Sequence, residues 1–193
     1  MESKVLLNSA IRLYKYLVKN HWVSSALTGP DVGIRFNSRI GRFLKGYLRL
    51  VPWQDNYAYM QTQGYWILSN SSLYELSKTN QYKEFAIECS KFIIAQQHPE
   101  GYWEYPNPEW RGRIATVEGN FACIGLLETF SLTGNPGYLK AAKKWLDFLY
   151  KNVGFQAYKG GLAVNYFASG NGLVPNNTTL TLLLLSKFVF VTG

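Results

Sequence analysis

Three segments decide the fold that this sequence predicts: LYELSKT at 73–79, LETFSLTG at 127–134 and FVFVTG at 188–193. Each has the composition of a helix end and carries a threonine at or next to its last residue: Thr79, Thr133 and Thr192. The threonines are 54 and 59 residues apart, which is about the length of two packed helices and their loops. Similarity at a period of about 55 residues predicts a repeat of helical hairpins.

The spacing of apolar residues around these segments predicts the individual helices. Breaks are expected at the Gly-Pro pair of 28–31, at 52–55, and in two Gly- and Pro-rich loops at 98–114 and 154–173. The predicted helices occupy 3–19, 34–51, 56–79, 82–93, 116–133 and 136–152, and a last one opens at Pro175. Because only Ala163 to Phe167 alternates enough for a short strand, we predict an all-α fold.

Composition limits the class of protein. Hydrophobic residues make up 47% of the 193 residues and charged residues 17%, as in a folded globular domain. The two cysteines, Cys89 and Cys123, fall within helical patterns and are expected to be buried thiols rather than disulfide or metal ligands. Since no signal peptide or membrane-spanning apolar run is evident, a cytoplasmic location is expected.

Positive charge is concentrated near the N-terminus. Residues 1–54 carry nine Lys or Arg and two acidic residues, whereas the rest of the chain is close to neutral. Five of these cations recur three or four residues apart and would form one stripe on a helix: Arg35, Arg39, Arg42, Lys45 and Arg49. The stripe would contact an anionic polymer or a membrane surface, or it is a solvated outer face. No nucleic acid is expected, because no recognition motif accompanies it.

Two motifs carry a resemblance to known families. QHPEGYW at 97–103 resembles the Gln-x3-Gly-x-Trp motif of α/α-toroid proteins, which include terpenoid cyclases and prenyltransferases. TVEGN at 116–120 and TGNPGYLKAA at 133–142 are similar to six-hairpin carbohydrate-active proteins, some of them linked to polysaccharide biosynthesis. In physical terms, the Gln would bond free carbonyls, the Gly would permit a turn, and Trp103 would cover the junction between hairpins.

The resemblance implies a single, partial (α/α) toroid. After a basic region at 1–55, it would have one hairpin at 56–105, a second at 106–166, and the first helix of a third at 167–193. Since such toroids contain five to seven hairpins, further C-terminal hairpins or a second subunit are expected at the open edge.

In toroids of this kind the loops before the inner helices surround the mouth of a cavity. Aligning the three threonines superposes Gly64, Glu118 and Asn177 at that end. Glu118 is the first candidate for acid or base catalysis and Asp55 the second, with Tyr57 and Tyr59 as partners. The alternative is that Glu118 is a helix N-terminal acid and Asp55 an N-cap.

Candidate substrate-binding residues are aromatic, amide or arginine side chains near the same end, because rings stack on sugars and amides bond hydroxyls. They are Gln63, Trp103, Trp110, Arg111, Arg113, Asn120, Tyr166, Asn176 and Asn177. For the residues of the 98–114 loop, the alternative is a packed loop that covers the hairpin ends.

The sequence therefore predicts a protein that acts on, or binds, an anionic or hydroxyl-rich glycan, as a hydrolase, lyase or epimerase if it is an enzyme. A non-catalytic glycan-binding or scaffold module is the first alternative. Terpenoid cyclase or prenyltransferase chemistry is the second, although Asp31, Asp55 and Asp147 form no Asp-rich box. No cofactor and no metal are expected, since no ligand cluster is evident.

Overall fold

The computed structural model describes residues 3–30, 56–107, 110–170 and 172–193. The chain divides into two compact units, Met1–Ala58 and Tyr59–Gly193. The predicted helix at 34–51, its basic stripe (Arg35, Arg39, Arg42, Lys45 and Arg49) and the candidate catalytic Asp55 lie outside the described residues.

The described residues of the first unit form a long helix and two pairs of very short strands. Helix α1 spans Ser3–His21, and strand β1 (Trp22–Val23) pairs antiparallel with β2 (Ala26–Leu27). Strand β3 (Gly29–Pro30) pairs with β4 (Asn56–Tyr57). The sequence pattern predicts no strands here. The structure differs because Ser24 and Ser25 both have positive φ, which turns the chain back on itself in two residues.

The second unit is mostly helical, with one small strand pair. Its helices are α2 (Met60–Ser77), α3 (Asn80–Ala95), α4 (Thr116–Thr133), α5 (Pro136–Phe148) and α6 (Pro175–Thr192). A π-helical turn, Leu149–Val153, extends α5. Strands β5 (Phe155–Tyr158) and β6 (Gly161–Val164) form a hairpin in the loop that precedes α6. None of the described helices is long and apolar enough to cross a membrane.

Three equivalent helices end with the same hydroxyl hydrogen bond. The side chains of Ser77, Thr133 and Thr192 each donate to the carbonyl oxygen four residues earlier, at 2.7 to 2.9 Å. Thr79 does not belong to this set, so that prediction is wrong by two residues: α2 ends at Ser77, and Thr79 precedes α3. The reason is Lys78, which takes the left-handed conformation that Gly134 takes after α4.

Hydrogen bonds show that α2, α4 and α6 run in the same direction. Glu118 near the start of α4 meets the start of α2, and Glu128 near its end meets Ser71. Asn120 and Glu128 likewise meet Thr181 and Lys187 of α6 in ascending order. We call α2, α4 and α6 the inner helices.

Helices α3 and α5 are the outer helices, and each returns antiparallel to the inner helix before it. The Cys123 thiol meets the Ala142 carbonyl, and Asn120 meets Trp145, so the order along α5 is reversed. The first hairpin shows the same reversal, because Gln63 meets Cys89 and Trp66 contacts Phe85. Two-residue connections enforce this arrangement, because so short a loop brings the next helix back alongside. The second unit therefore contains two complete hairpins followed by an inner helix.

The Gln97 motif joins neighbouring hairpins. The Gln97 amide donates to the carbonyls of Gly101 and Ala141, both at 3.0 Å, which links the loop to the outer helix of the next hairpin. Trp103 is buried, donates to the Ile93 carbonyl at 2.9 Å and contacts the ring of Trp145. These contacts agree with the packing role that the motif predicts for Gln97 and Trp103.

Gly64 allows the close approach of α2 and α4. A Cβ atom at this position would lie 2.4 Å from the Phe121 carbonyl oxygen, well inside van der Waals contact. Ile67 and Leu127, which follow this contact along α2 and α4, are fully buried in the core. Neither α2 nor α4 can move away to make room without disturbing the outer helix packed against it. The second unit therefore has no space for a side chain at position 64.

Substituting Gly64→Ala is therefore expected to lower the free energy of unfolding by about 2–3 kcal/mol, although alanine favours a helix by about 1 kcal/mol. Urea denaturation measures the change. Gly161→Ala is the control, because its Cβ would meet its nearest neighbour at an ordinary 3.6 Å. Equal stability of the two variants would contradict the close approach.

Candidate functional site

The inner helices all begin without a side-chain cap of their own. The residues before them, Tyr59, Ala115 and Val174, are extended, and none makes a capping hydrogen bond through its side chain. The first N–H groups of each helix therefore need acceptors from elsewhere, and these ends carry partial positive charge. For α2 the acceptor comes from the neighbouring inner helix.

Glu118 supplies that acceptor. Its Oε2 atom accepts hydrogen bonds from the backbone N–H of Met60 at 2.6 Å and of Gln61 at 3.2 Å, while its side chain is only 1% exposed. Burial raises the pKa of Glu118 to about 7, against the opposing effect of the hydrogen bonds from Gln61 and Met60. The carboxyl group can therefore hold or release a proton near neutral pH.

A cluster of three tyrosines lies near this carboxyl group. The Tyr105 and Tyr166 hydroxyls lie 3.3 Å apart, and the Tyr59 ring makes an edge contact with Tyr105 at 6.2 Å. Burial, then the hydrogen bond to Tyr166 and the charge of Glu118, raise the pKa of Tyr105. Tyr105 therefore stays protonated and can act as a hydrogen-bond donor beside Glu118.

A groove of about 500 Å³ crosses the N-terminal halves of the three inner helices. Equivalent positions of the three inner helices form its wall. In each helix the second and sixth residues line the groove, and these two positions lie on one helical face. These residues are Gln61 and Tyr65 of α2, Val117 and Phe121 of α4, and Asn176 and Leu180 of α6. The rings of Tyr65 and Phe121 contact each other, with centroids 4.3 Å apart. Tyr166 connects the groove to the tyrosine cluster.

Beside this cluster lies a second aromatic group, in the loop before α4. Trp110 makes edge contacts with Tyr105 and Phe167, at 5.0 and 5.8 Å between ring centroids. The exposed Arg113 guanidinium lies over the rings of both Trp110 and Phe167. Arg113 thus packs on rings and keeps its polar edge toward solvent.

Comparison with known proteins gives structural neighbours only. The chain is similar to the Lin0763 protein of Listeria innocua, with a TM-score of 0.66 and 15% identity over 98% of this chain. It is also similar to Bt3792 of Bacteroides thetaiotaomicron VPI-5482, a glycoside hydrolase family 76 mannosidase, at a TM-score of 0.65 and 11% identity over 95% of the chain. A family 76 glycoside hydrolase from a bovine Bacteroides thetaiotaomicron strain matches at 0.62, with 15% identity over 95% of the chain.

The fold is toroid-like. No family model and no curated protein matches the sequence. This chain spans half or less of the length of its structural neighbours: 50%, 48% and 38% of the three. At such low identity the likeness extends to the fold alone, and it carries no residue of those proteins over to this one.

Three of the predicted binding residues lie in the core of the second unit. Trp103, Gln63 and Asn120 are buried, and each has a polar side-chain atom bonded to protein. Asn120 uses both ends of its amide, since it also accepts from the Trp145 indole at 3.0 Å. Their described contacts are structural, and none of the three lines the groove.

Other predicted residues come together near the groove. Tyr166, Asn176 and Asn177 line it. Glu118 and Tyr59 lie at the tyrosine cluster, with Trp110 and Arg113 beside it. Arg111 is exposed in the same loop. Tyr57 belongs to the first unit, in β4, and Asp55 lies outside the described residues.

Sequence reasoning missed Tyr65 and Phe121. The signal for both was the repeat itself, since helices beginning at Met60, Thr116 and Pro175 are 56 and 59 residues apart. With this register Thr62, rather than Gly64, is equivalent to Glu118 and Asn177.

No group of three side chains suited to a metal ion is found within the described ranges. Cys89 and Cys123 are buried, and burial raises the pKa of both thiols, so neither is a ready ligand or nucleophile.

The pKa of Glu118 makes the stability of the fold depend on pH. Between about pH 4.5 and 7 the folded protein keeps a proton that the unfolded chain releases, so the free energy of unfolding falls as pH rises. Glu118→Gln removes this effect. The variant is expected to gain up to about 3 kcal/mol relative to the parent protein between pH 4.5 and 8, measured by urea denaturation.

Glu128→Gln provides the control. Burial opposes ionisation of Glu128, but hydrogen bonds from Lys187 and Ser71 and the charge of Lys187 hold its pKa below the usual value. Its contribution is lost only as pH falls through that lowered pKa, so the Glu128→Gln difference should stay constant from pH 5 to 8. A flat difference for Glu118→Gln as well would show that the Glu118 pKa is not raised.

Proposed function

We propose that this chain is a carbohydrate-active toroid protein that takes a neutral, hydroxyl-rich oligosaccharide along the groove across its inner helices. The observation that carries this proposal is the groove wall, which combines aromatic rings with uncharged polar side chains. Such a wall suits sugars, whose ring faces are apolar and whose hydroxyl groups need hydrogen-bond partners at their edges. The toroid-like fold supports the same class, since two structural neighbours are family 76 glycoside hydrolases.

Tyr65 is the best-placed stacking residue. It is 52% exposed and leans on the largely buried Phe121, so its ring is held in place while remaining accessible. Gln61, Asn176 and Thr179 stand around it and offer amide and hydroxyl groups. A ring held by packing loses little conformational freedom on binding, which favours affinity.

The charges near the groove favour a neutral ligand over an anionic one. Of the described residues that line it, none is charged. Arg113 lies outside this lining, and its guanidinium rests on Trp110 and Phe167. An anionic sugar in the groove would lose water without gaining a cation, which costs binding free energy.

Catalysis at Glu118 is a second candidate function, favoured by a carboxyl pKa of about 7 beside the protonated Tyr105. Such a group can donate a proton to a glycosidic oxygen at neutral pH. Hydrolysis is the reaction type that the glycoside hydrolase neighbours favour over elimination or epimerisation. It needs a second carboxylate, for which Asp55 is a candidate from the sequence alone.

Tyr65→Ala tests the binding proposal. Loss of the stacking ring is expected to weaken binding of neutral manno- and gluco-oligosaccharides about tenfold or more, measured by calorimetric titration. Tyr158→Ala is a matched control, because Tyr158 is 51% exposed on the β5–β6 hairpin and does not line the groove. If neither change affects binding, or no neutral oligosaccharide binds, the groove is not the binding site.

Glu118→Gln and Asp55→Asn test the catalytic candidate. Each is expected to lower kcat/KM for oligosaccharide hydrolysis by about 10²–10⁴, since each removes a proton donor or a base. Glu100→Gln changes an exposed loop carboxylate and should leave turnover unaltered. Turnover that persists in both variants would leave the binding proposal standing and remove Glu118 and Asp55 from catalysis.

A further inference from the structure

The side chain of Asn177 is buried without any hydrogen bond. It is 2% exposed, and neither Oδ1 nor Nδ2 has a partner, although both atoms are out of contact with solvent. Its backbone carbonyl is used, since it accepts from the Thr181 hydroxyl at 2.9 Å. A buried amide without partners is costly and unusual, and it calls for an explanation.

Two other buried polar side chains near the starts of the inner helices, those of Asn120 and Glu118, are hydrogen-bonded. Asn120 meets α6 at Thr181, one turn after Asn177. Both ends of the Asn120 amide are hydrogen-bonded, to Thr181 and to Trp145. Glu118 is the third residue of α4, as Asn177 is the third residue of α6. Its Oε2 atom accepts a hydrogen bond from the first N–H group of α2. The unpaired amide is thus specific to the one of these three residues that lines the groove.

The surroundings of Asn177 indicate which group would match it. An amide offers a donor beside an acceptor, and another amide satisfies both at once in a planar pair. Val174, the extended residue just before α6, and Leu180, within α6, both line the groove together with Asn177. Beside these apolar side chains a methyl group is well accommodated, whereas a hydroxyl group would lose its partners.

We propose that Asn177 binds the acetamido group of a 2-acetamido sugar, with the acetyl methyl against Val174 and Leu180. This rests on the proposed function and narrows it to N-acetylhexosamine-containing glycans. Because both polar atoms of the amide are out of contact with solvent, binding would require the Asn177 side chain to rotate toward the groove that it lines. The sugar ring would continue toward the Tyr65 and Phe121 rings, which line the same groove.

A matched pair of disaccharides tests the proposal. N,N′-diacetylchitobiose and cellobiose share their linkage and differ at C2 of each ring, where the first carries an acetamido group and the second a hydroxyl group. Calorimetric titration is expected to give a dissociation constant at least about tenfold lower for the diacetyl compound. Saturation-transfer NMR should place its acetyl methyl protons closest to the protein.

Asn177→Leu removes the amide while keeping the side-chain size. The preference for diacetylchitobiose is expected to disappear, whereas Tyr158→Ala, at an exposed side chain that does not line the groove, should keep it. Thermal unfolding gives an independent readout. Because an unpaired buried amide is replaced by an apolar group, Asn177→Leu should be as stable as the parent protein or more so.

The outcomes separate this inference from the proposed function. Equal binding of the two disaccharides, tighter binding of cellobiose, or a preference that survives Asn177→Leu would overturn the acetamido site. The same holds if Asn177→Leu lowers the melting temperature, since the amide would then be paired in the free protein. If neither disaccharide binds while the oligosaccharides used with Tyr65→Ala do, only this inference fails. If no oligosaccharide binds, both fail.

Discussion

Two glutamates of α4 hold the three inner helices in register, and the arrangement of the second unit depends on them. Glu118 accepts from the first N–H groups of α2. Ten residues later, Glu128 joins Ser71 of α2 to Lys187 of α6. Ten residues of helix separate the two contacts by about 15 Å, so a slip of one turn would break both. Buried polar groups of this kind are costly to misplace, which makes the alignment specific.

That register also shapes the candidate site. Because the inner helices are parallel and level, their second and sixth residues meet in one wall, and the groove runs across all three. The carboxyl group with the raised pKa is the same one that fixes the start of α2, where Gln61 enters the groove. Any change in the protonation of Glu118 therefore acts on the wall as well as on the chemistry beside it.

Local signals made the helices predictable, and one local exception displaced the repeat. Pro175 and Thr116 open helices where the pattern predicts them, and the Gln97 motif makes the contacts that its resemblance implies. A glycine normally marks the left-handed residue that ends a helix, but after α2 this residue is Lys78. The sequence alignment of the three repeats is therefore displaced by two residues in α2, and it does not reveal the groove wall. The unpaired amide of Asn177 depends on side chains from several elements, and no spacing in the sequence reveals such an absence.

The two buried thiols have a practical consequence for following the motions of this protein. The Cys89 thiol faces Gln63 inside the first hairpin, and the Cys123 thiol faces Ala142 inside the second. Since each thiol is buried between the inner and outer helix of its hairpin, a thiol reagent reacts only when that hairpin opens. The labelling rate of each cysteine thus reports the local opening of one hairpin, without any introduced probe.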